Sequence, residues 1–215
     1  MTNKTILMGI TLSAVLALTL TMTSIGTALA NAVDPFLEIS KAEIEVDDEE
    51  LEAELETHGI IPTDGTGGAF GYGVITGAGL EAIIVATSHP GVLDSDAQEY
   101  ILDPVMHSHF VALQDSQTGG TGLCPGPEVR DITWEEPAEV DVSGDEIEIE
   151  EVPTDGFSGT HSITGDPVSF NMGTDVGNVV SFRLAPVFNA ANGLQAVCVN
   201  IIDDSPDELE IEEDD

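Results

Sequence analysis

Apolar residues recur along this chain with two different periods. Glu146-Ile147-Glu148-Ile149-Glu150 alternates strictly, as a strand with one wet face does. Ala82-Ile83-Ile84-Val85-Ala86-Thr87 is a continuous apolar run that stops at the turn signal His89-Pro90-Gly91. Residues 105–113, 178–188 and 194–202 are rich in β-branched side chains. Asn192-Gly193 lies between the last two and predicts a hairpin. By contrast, Asp47 to Glu56 sets Leu51 and Leu55 four apart among strong helix formers, which predicts a short acidic helix. His58 would then sit as a cation at the C-terminal end of that helix. Gly and Pro number 22 and 11 and fall mostly between the apolar segments. The fold expected is all-β: an antiparallel β-sandwich or partly open barrel, with one short acidic N-terminal helix and a disordered acidic C-terminal tail.

The pattern also divides the chain. Lys4 is followed by an uncharged run that ends Thr27-Ala28-Leu29-Ala30, so residues 1–30 read as a secretory signal peptide cleaved near Ala30. The same run is long enough to serve as an uncleaved anchor, although its Thr, Ser and Gly weaken a permanent span. Residues 31–57 form an acidic N-terminal segment, and 58–202 the β-domain with an acidic insertion at 135–151. Residues 203–215 are the acidic tail. Outside the cytoplasm, the two cysteines Cys124 and Cys198 read as a disulfide. Ile61-Pro62-Thr63-Asp64-Gly65 recurs as Val152-Pro153-Thr154-Asp155-Gly156, through duplication or through shared turn chemistry.

Charge narrows the partners. The 215 residues carry 41 acidic and 4 basic side chains, a formal net charge of −37. Nucleic acids and anionic membrane surfaces are excluded as main partners, because phosphate backbones are bound by clustered Lys and Arg. Hydrophobic residues make up 41%, so the chain is not of the disordered class. The acids fall into three dense blocks, at 43–56, 135–151 and 203–215, rather than evenly as on a salt-adapted surface. Cations or a cationic protein surface are the natural partners of such blocks.

Met106-His107-Ser108-His109-Phe110 is the sharpest chemical signal. On a strand, His107 and His109 share a face about 6.8 Å apart. Two such imidazoles chelate zinc or copper if further ligands arrive. His89 is the first candidate, with His161, Asp103 and Asp115 behind it. Calcium is an alternative use of the acid, through Asp141, Asp145 and Glu146, although 141–146 does not match an EF-hand loop. Gly65 to Gly73 lacks any phosphate-binding spacing and fits a closely packed strand instead. No GxSxG elbow is present. His-x-His also occurs in cupins and copper–zinc superoxide dismutases, but the further ligands of those families are missing here.

Thr87-Ser88-His89-Pro90-Gly91-Val92-Leu93-Asp94-Ser95-Asp96 and the stretch from Asp103 to Leu113 resemble uncharacterised secreted proteins of ammonia-oxidising archaea. That resemblance implies an archaeal, extracytoplasmic setting and no particular activity. The leading expectation is a secreted or cell-surface, non-enzymatic β-protein that binds a ligand, a partner or cations. A zinc or copper protein or metalloenzyme built on His107 and His109 is the alternative, and a calcium-stabilised surface or adhesion module a third.

Overall fold

Thirteen strands account for nearly all the regular structure of the computed structural model, which describes residues 33–47 and 49–213. In chain order they are β1 (Ile39–Val46), β2 (Glu50–Thr57), β3 (Phe70–Thr76), β4 (Ile83–Ser88), β5 (His107–Asp115), β6 (Pro127–Ile132) and β7 (Glu139–Ser143). They continue with β8 (Glu146–Pro153), β9 (Phe157–Thr160), β10 (Pro167–Phe170), β11 (Val176–Phe188), β12 (Leu194–Asp203) and β13 (Glu208–Glu213). The fold is all-β, as the alternating pattern predicts. Strands β11-β12-β6-β5-β4-β3 close into a barrel, β13-β1-β2-β8-β7 form a five-stranded sheet, and β9 pairs with β10.

Two cores follow from strand alternation. Ile83, Val85, Val111, Leu113, Ile132, Val180, Phe182 and Val199 fill the barrel's inner face. Alternate residues on the same strands, among them Ile84, Ala86, Phe110 and Ala112, face outward. They join Ile44, Leu51, Leu55, Ile147 and Ile149 of the five-stranded sheet in the larger core. Strand β3 divides in the same way: Phe70, Tyr72 and Val74 enter the larger core, while Gly71 keeps the other face bare. A Cβ at Gly71 would lie 2.5 Å from the Ala86 carbonyl oxygen and 2.8 Å from the Phe182 ring.

The three acidic blocks meet in one sheet. Across its strands Glu43 faces Glu54 and Glu210, Glu54 faces Glu148, and Glu148 faces Asp141. The opposite face carries Ala42, Ile44, Leu51, Ala53, Leu55, Ile147 and Ile149, all buried. Between Glu150 and Val152 the register shifts by one residue, and Glu151 takes a left-handed φ of 58°. That bulge returns Val152 to the buried side.

Two expectations from the sequence are corrected here. The segment read as a helix is strand β2: Leu51, Ala53 and Leu55 alternate as well as they step by four, and the sheet buries all three. With no helix to cap, His58 instead lies 3.1 Å from the Asp207 carboxylate. The tail is not disordered through 203–213, because β13 pairs in parallel with β1, Leu209 opposite Ala42 and Ile211 opposite Ile44. The hairpin at Asn192-Gly193 forms, joining β11 to β12, with Asn192 left-handed at φ 60°. The signal-peptide segment 1–30 lies outside the described residues. Among those residues no helix is long and apolar enough to cross a membrane.

Cys124 and Cys198 are disulfide-bonded. The bond staples the barrel's thinnest seam, where β12 meets β6 through the single pair Cys198 and Glu128. Beside it, the buried Glu128 carboxylate accepts hydrogen bonds from Gln114, Ser116 and both the backbone and hydroxyl of Thr121. Burial raises that carboxyl, but the donors outweigh burial and hold it below the usual range.

Changing both cysteines to Ser should lower stability by about 4 kcal/mol in the chain-entropy picture, read as a denaturation midpoint shift at constant m. A second expectation concerns the carboxylate face. Burial and neighbouring carboxylates raise the Glu52 and Glu54 carboxyls. Raised carboxyls contribute stability below their unfolded pKa and lose it as pH rises through the folded value. The double change Glu52→Gln/Glu54→Gln should therefore raise the melting temperature more at pH 7 than at pH 4.5. Added salt should shrink the difference.

Candidate metal centre

His89 immediately follows β4, where the Pro90-Gly91 turn reverses the chain, with Gly91 at φ 112°. The loop folds back over the barrel end. Gly91 N–H donates to the Ile101 carbonyl, and Gln98 bridges the loop by accepting from Asp94 N–H and donating to the Val92 carbonyl. These bonds place Asp94 above β5, on which His107 and His109 point to the same side, two residues apart. Strand pairing sets Thr87 opposite His107 and Val85 opposite His109, so β4 delivers His89 beside them. All four side chains are buried, and both β5 histidines are completely so.

The donor atoms converge. Asp94 Oδ1 lies 3.4 Å from His89 Nε2, 3.6 Å from His107 Nε2 and 3.7 Å from His109 Nε2. His89 and His107 present their Nε2 atoms to each other at 3.1 Å. The backbone decides the tautomers. His107 Nδ1 is 3.0 Å from the Val105 carbonyl and His109 Nδ1 is 2.8 Å from the Thr133 carbonyl. Carbonyl oxygens only accept, so both protons sit on Nδ1, and both Nε2 atoms present lone pairs to Asp94. Carbonyls that accept from Nδ1 in this way orient metal-bound imidazoles and fix their tautomer.

Asp94 Oδ1 and His109 Nε2 are buried with no hydrogen-bond partner. Acceptors this close in a buried site are satisfied by a proton or by a metal ion between them. Four ligands at bonds of about 2.0–2.2 Å in a tetrahedron stand roughly 3.3 Å apart, and the observed contacts of 3.1–3.7 Å match that spacing. The residues present therefore fit a metal ion. Burial is the largest effect on the His89 imidazole and pushes it down to about 4, against the Asp94 carboxylate. Burial raises the Asp94 carboxyl, and bringing it below the usual carboxylate range takes proton donation or positive charge from the facing imidazoles, which the lone-pair-inward tautomers do not supply. A neutral imidazole, as burial favours at His89, is the form that binds a metal.

The structure thus brings together His89, His107 and His109, which the sequence singled out, and adds Asp94, which it did not. The other candidates are engaged elsewhere. His161 Nδ1 accepts from the Ile163 and Thr164 amides while Nε2 meets the Arg130 carbonyl. Asp103 accepts from Glu99 and Val105, and Asp115 from Gln117 and Thr118. Of the calcium candidates, Asp141 groups with Glu148 and Glu150, and Glu146 with Glu54 and Glu148. Asp145 sits in the β7–β8 turn, where its carbonyl accepts from Thr57. These acidic groups are partly or fully exposed, unlike the buried His/Asp group.

Comparison of the chain with protein-family models, with curated proteins and with solved structures found no match. The site therefore has to be read from its own chemistry.

Asp94→Asn should abolish metal binding yet raise the melting temperature of chelator-treated protein. The amide would donate to imidazole lone pairs that otherwise stay unsatisfied, relieving a penalty of about 1–3 kcal/mol. Scanning calorimetry with and without chelator checks both signs.

Proposed function

We propose that this chain is a zinc- or copper-binding protein of the cell exterior, with His89, Asp94, His107 and His109 as the ligands. One observation carries the reading: three histidines and a carboxylate converge, buried, with two of the imidazoles turned lone pair inward by backbone carbonyls. The near-tetrahedral spacing favours zinc, which has no geometric preference of its own, over copper(II), which prefers tetragonal sites. The extracytoplasmic setting rests on the signal-like residues 1–30, on the disulfide and on the resemblance to secreted archaeal proteins.

His89, Asp94 and His109 also line the barrel lumen, so the ion would be approached from inside the barrel. Four protein ligands complete a tetrahedron, so a further ligand reaching the ion from the lumen would make it five-coordinate. In this reading the chain's own residues do three things. The carbonyls of Val105 and Thr133 hold the imidazoles, Asp94 offsets one charge, and the aliphatic lumen excludes water.

A second reading rests on the assembled carboxylate face. Its field attracts counter-ions or a cationic partner, and it supports the interaction role expected from the sequence. Millimolar calcium raising the melting temperature well beyond magnesium at matched ionic strength would support a specific calcium role, and equal effects would leave only diffuse binding.

For the leading reading, purified protein should hold one zinc or copper ion per chain by elemental analysis. His107→Ala/His109→Ala should lose it. Metal at about a thousand times its Kd should stabilise the wild type by about 4 kcal/mol and leave the double variant unchanged. A wild-type chain that takes up no metal on reconstitution would sink the proposal.

A further inference from the structure

The barrel interior is not filled. A cavity of about 250 Å³ runs through it, walled chiefly by Ile83, Val85, Val111, Val180, Phe182 and Val199. Gly71 on β3 does not open this space, because the Phe182 ring and the Thr87 methyl already take the place of its missing side chain. The lumen reaches the surface beside Leu80, Ile163 and Ile201, which line it and are 46%, 55% and 41% exposed. His89, Asp94 and His109 line it as well.

A packed domain interior holds few voids larger than a water, and a roomy apolar cavity stays dry unless an apolar molecule enters it. This one is just under the range of about 300–1,000 Å³ in which drug-sized ligands bind, which sets the occupant's size as small. Its chemistry is two-ended, apolar walls leading to a metal-ligand cluster. A divalent ion held by three neutral imidazoles and one carboxylate keeps a single net positive charge. Glu136, whose charge reaches His107 and His109, is exposed and does not line the lumen. In so apolar a space the remaining charge favours an anionic donor on the ion.

We infer that the lumen is a binding site for a small amphiphilic monoanion, a hydrocarbon body with a terminal carboxylate that coordinates the ion. The inference rests on the metal-centre reading above. Size, wall chemistry and charge each select against alternatives: polar metabolites lose hydration to aliphatic walls, and long lipids exceed the volume. The exposed Leu80, Ile163 and Ile201 form an apolar rim at the entrance.

The test uses the full secreted chain loaded with cobalt(II), whose visible spectrum reports its ligands, with octanoate, acetate and 1-octanol as probes. Octanoate should shift the cobalt spectrum at a concentration at least about tenfold lower than acetate, because each buried methylene adds to affinity. Octanol should compete with octanoate only weakly. Val111→Trp, or Val85→Phe should the first not fold, should keep its cobalt and lose the octanoate preference. Cobalt bound with octanoate no better than acetate would overturn the ligand site and leave the metal centre standing. The same holds if a filled lumen responds like the open one. Failure of the wild type to bind cobalt would overturn both.

Discussion

Strands β4 and β5 are buried on both faces, and the rest of the architecture depends on that double burial. Every residue of β4, and the first seven of β5, are buried. A strand in that position must offer alternate side chains to two different cores. One set meets the five-stranded sheet, and the other faces the barrel lumen. His107 and His109 fall in the lumen set, with Ser108 between them bonded to Ala138 on the sheet side. Two imidazoles are thereby confined where no water can satisfy them, and the backbone carbonyls of Val105 and Thr133 take up one nitrogen of each. What remains is an inward-facing pair of lone pairs beside the Asp94 carboxylate, a group that could hold a metal ion.

The sheet that seals the outer core carries an electrostatic burden. Like charges directly opposite one another across antiparallel strands are destabilising, and here carboxylates face carboxylates on strand after strand. The sheet is held by its other face, where Ile44, Leu51, Leu55, Ile147 and Ile149 are essentially inaccessible to solvent. Burial of such side chains, at about 1.5–3 kcal/mol each, exceeds the screened repulsion between exposed carboxylates. Lys41 relieves part of it locally through its ion pair with Glu43. The acidic side chains are therefore densest on the outer face of this one sheet.

The same logic explains where the sequence was legible. Strict alternation at Glu146–Glu150, the apolar run at 83–87 and the Asn192-Gly193 turn each specify one local geometry, and each appears as expected. Residues 50–56 were ambiguous because Leu51, Ala53 and Leu55 satisfy a period of two while Leu51 and Leu55 also satisfy a helical step. Helix propensity is worth little beside the burial that three pairing strands provide. The tail misled in a similar way: Leu209 and Ile211 have little of their own to pack against, and only the open edge of β1 makes a strand of them.

For the metal centre, His107 and His109 could be read directly, since two residues of separation on a strand puts them on one face. His89 joins them because β4, at whose end it stands, pairs with β5. Asp94 lay beyond reach, because its position depends on a loop held by Gln98 and by the Gly91 to Ile101 hydrogen bond. The sequence by itself determined the strand character, the disulfide pair and the His-x-His pairing, all of which arise from local period and cysteine count. Tertiary structure alone decided that the three acidic blocks meet in one sheet and that Asp94 joins the three histidines. Those outcomes depend on strand order and loop closure between residues far apart in the chain, which no local pattern encodes.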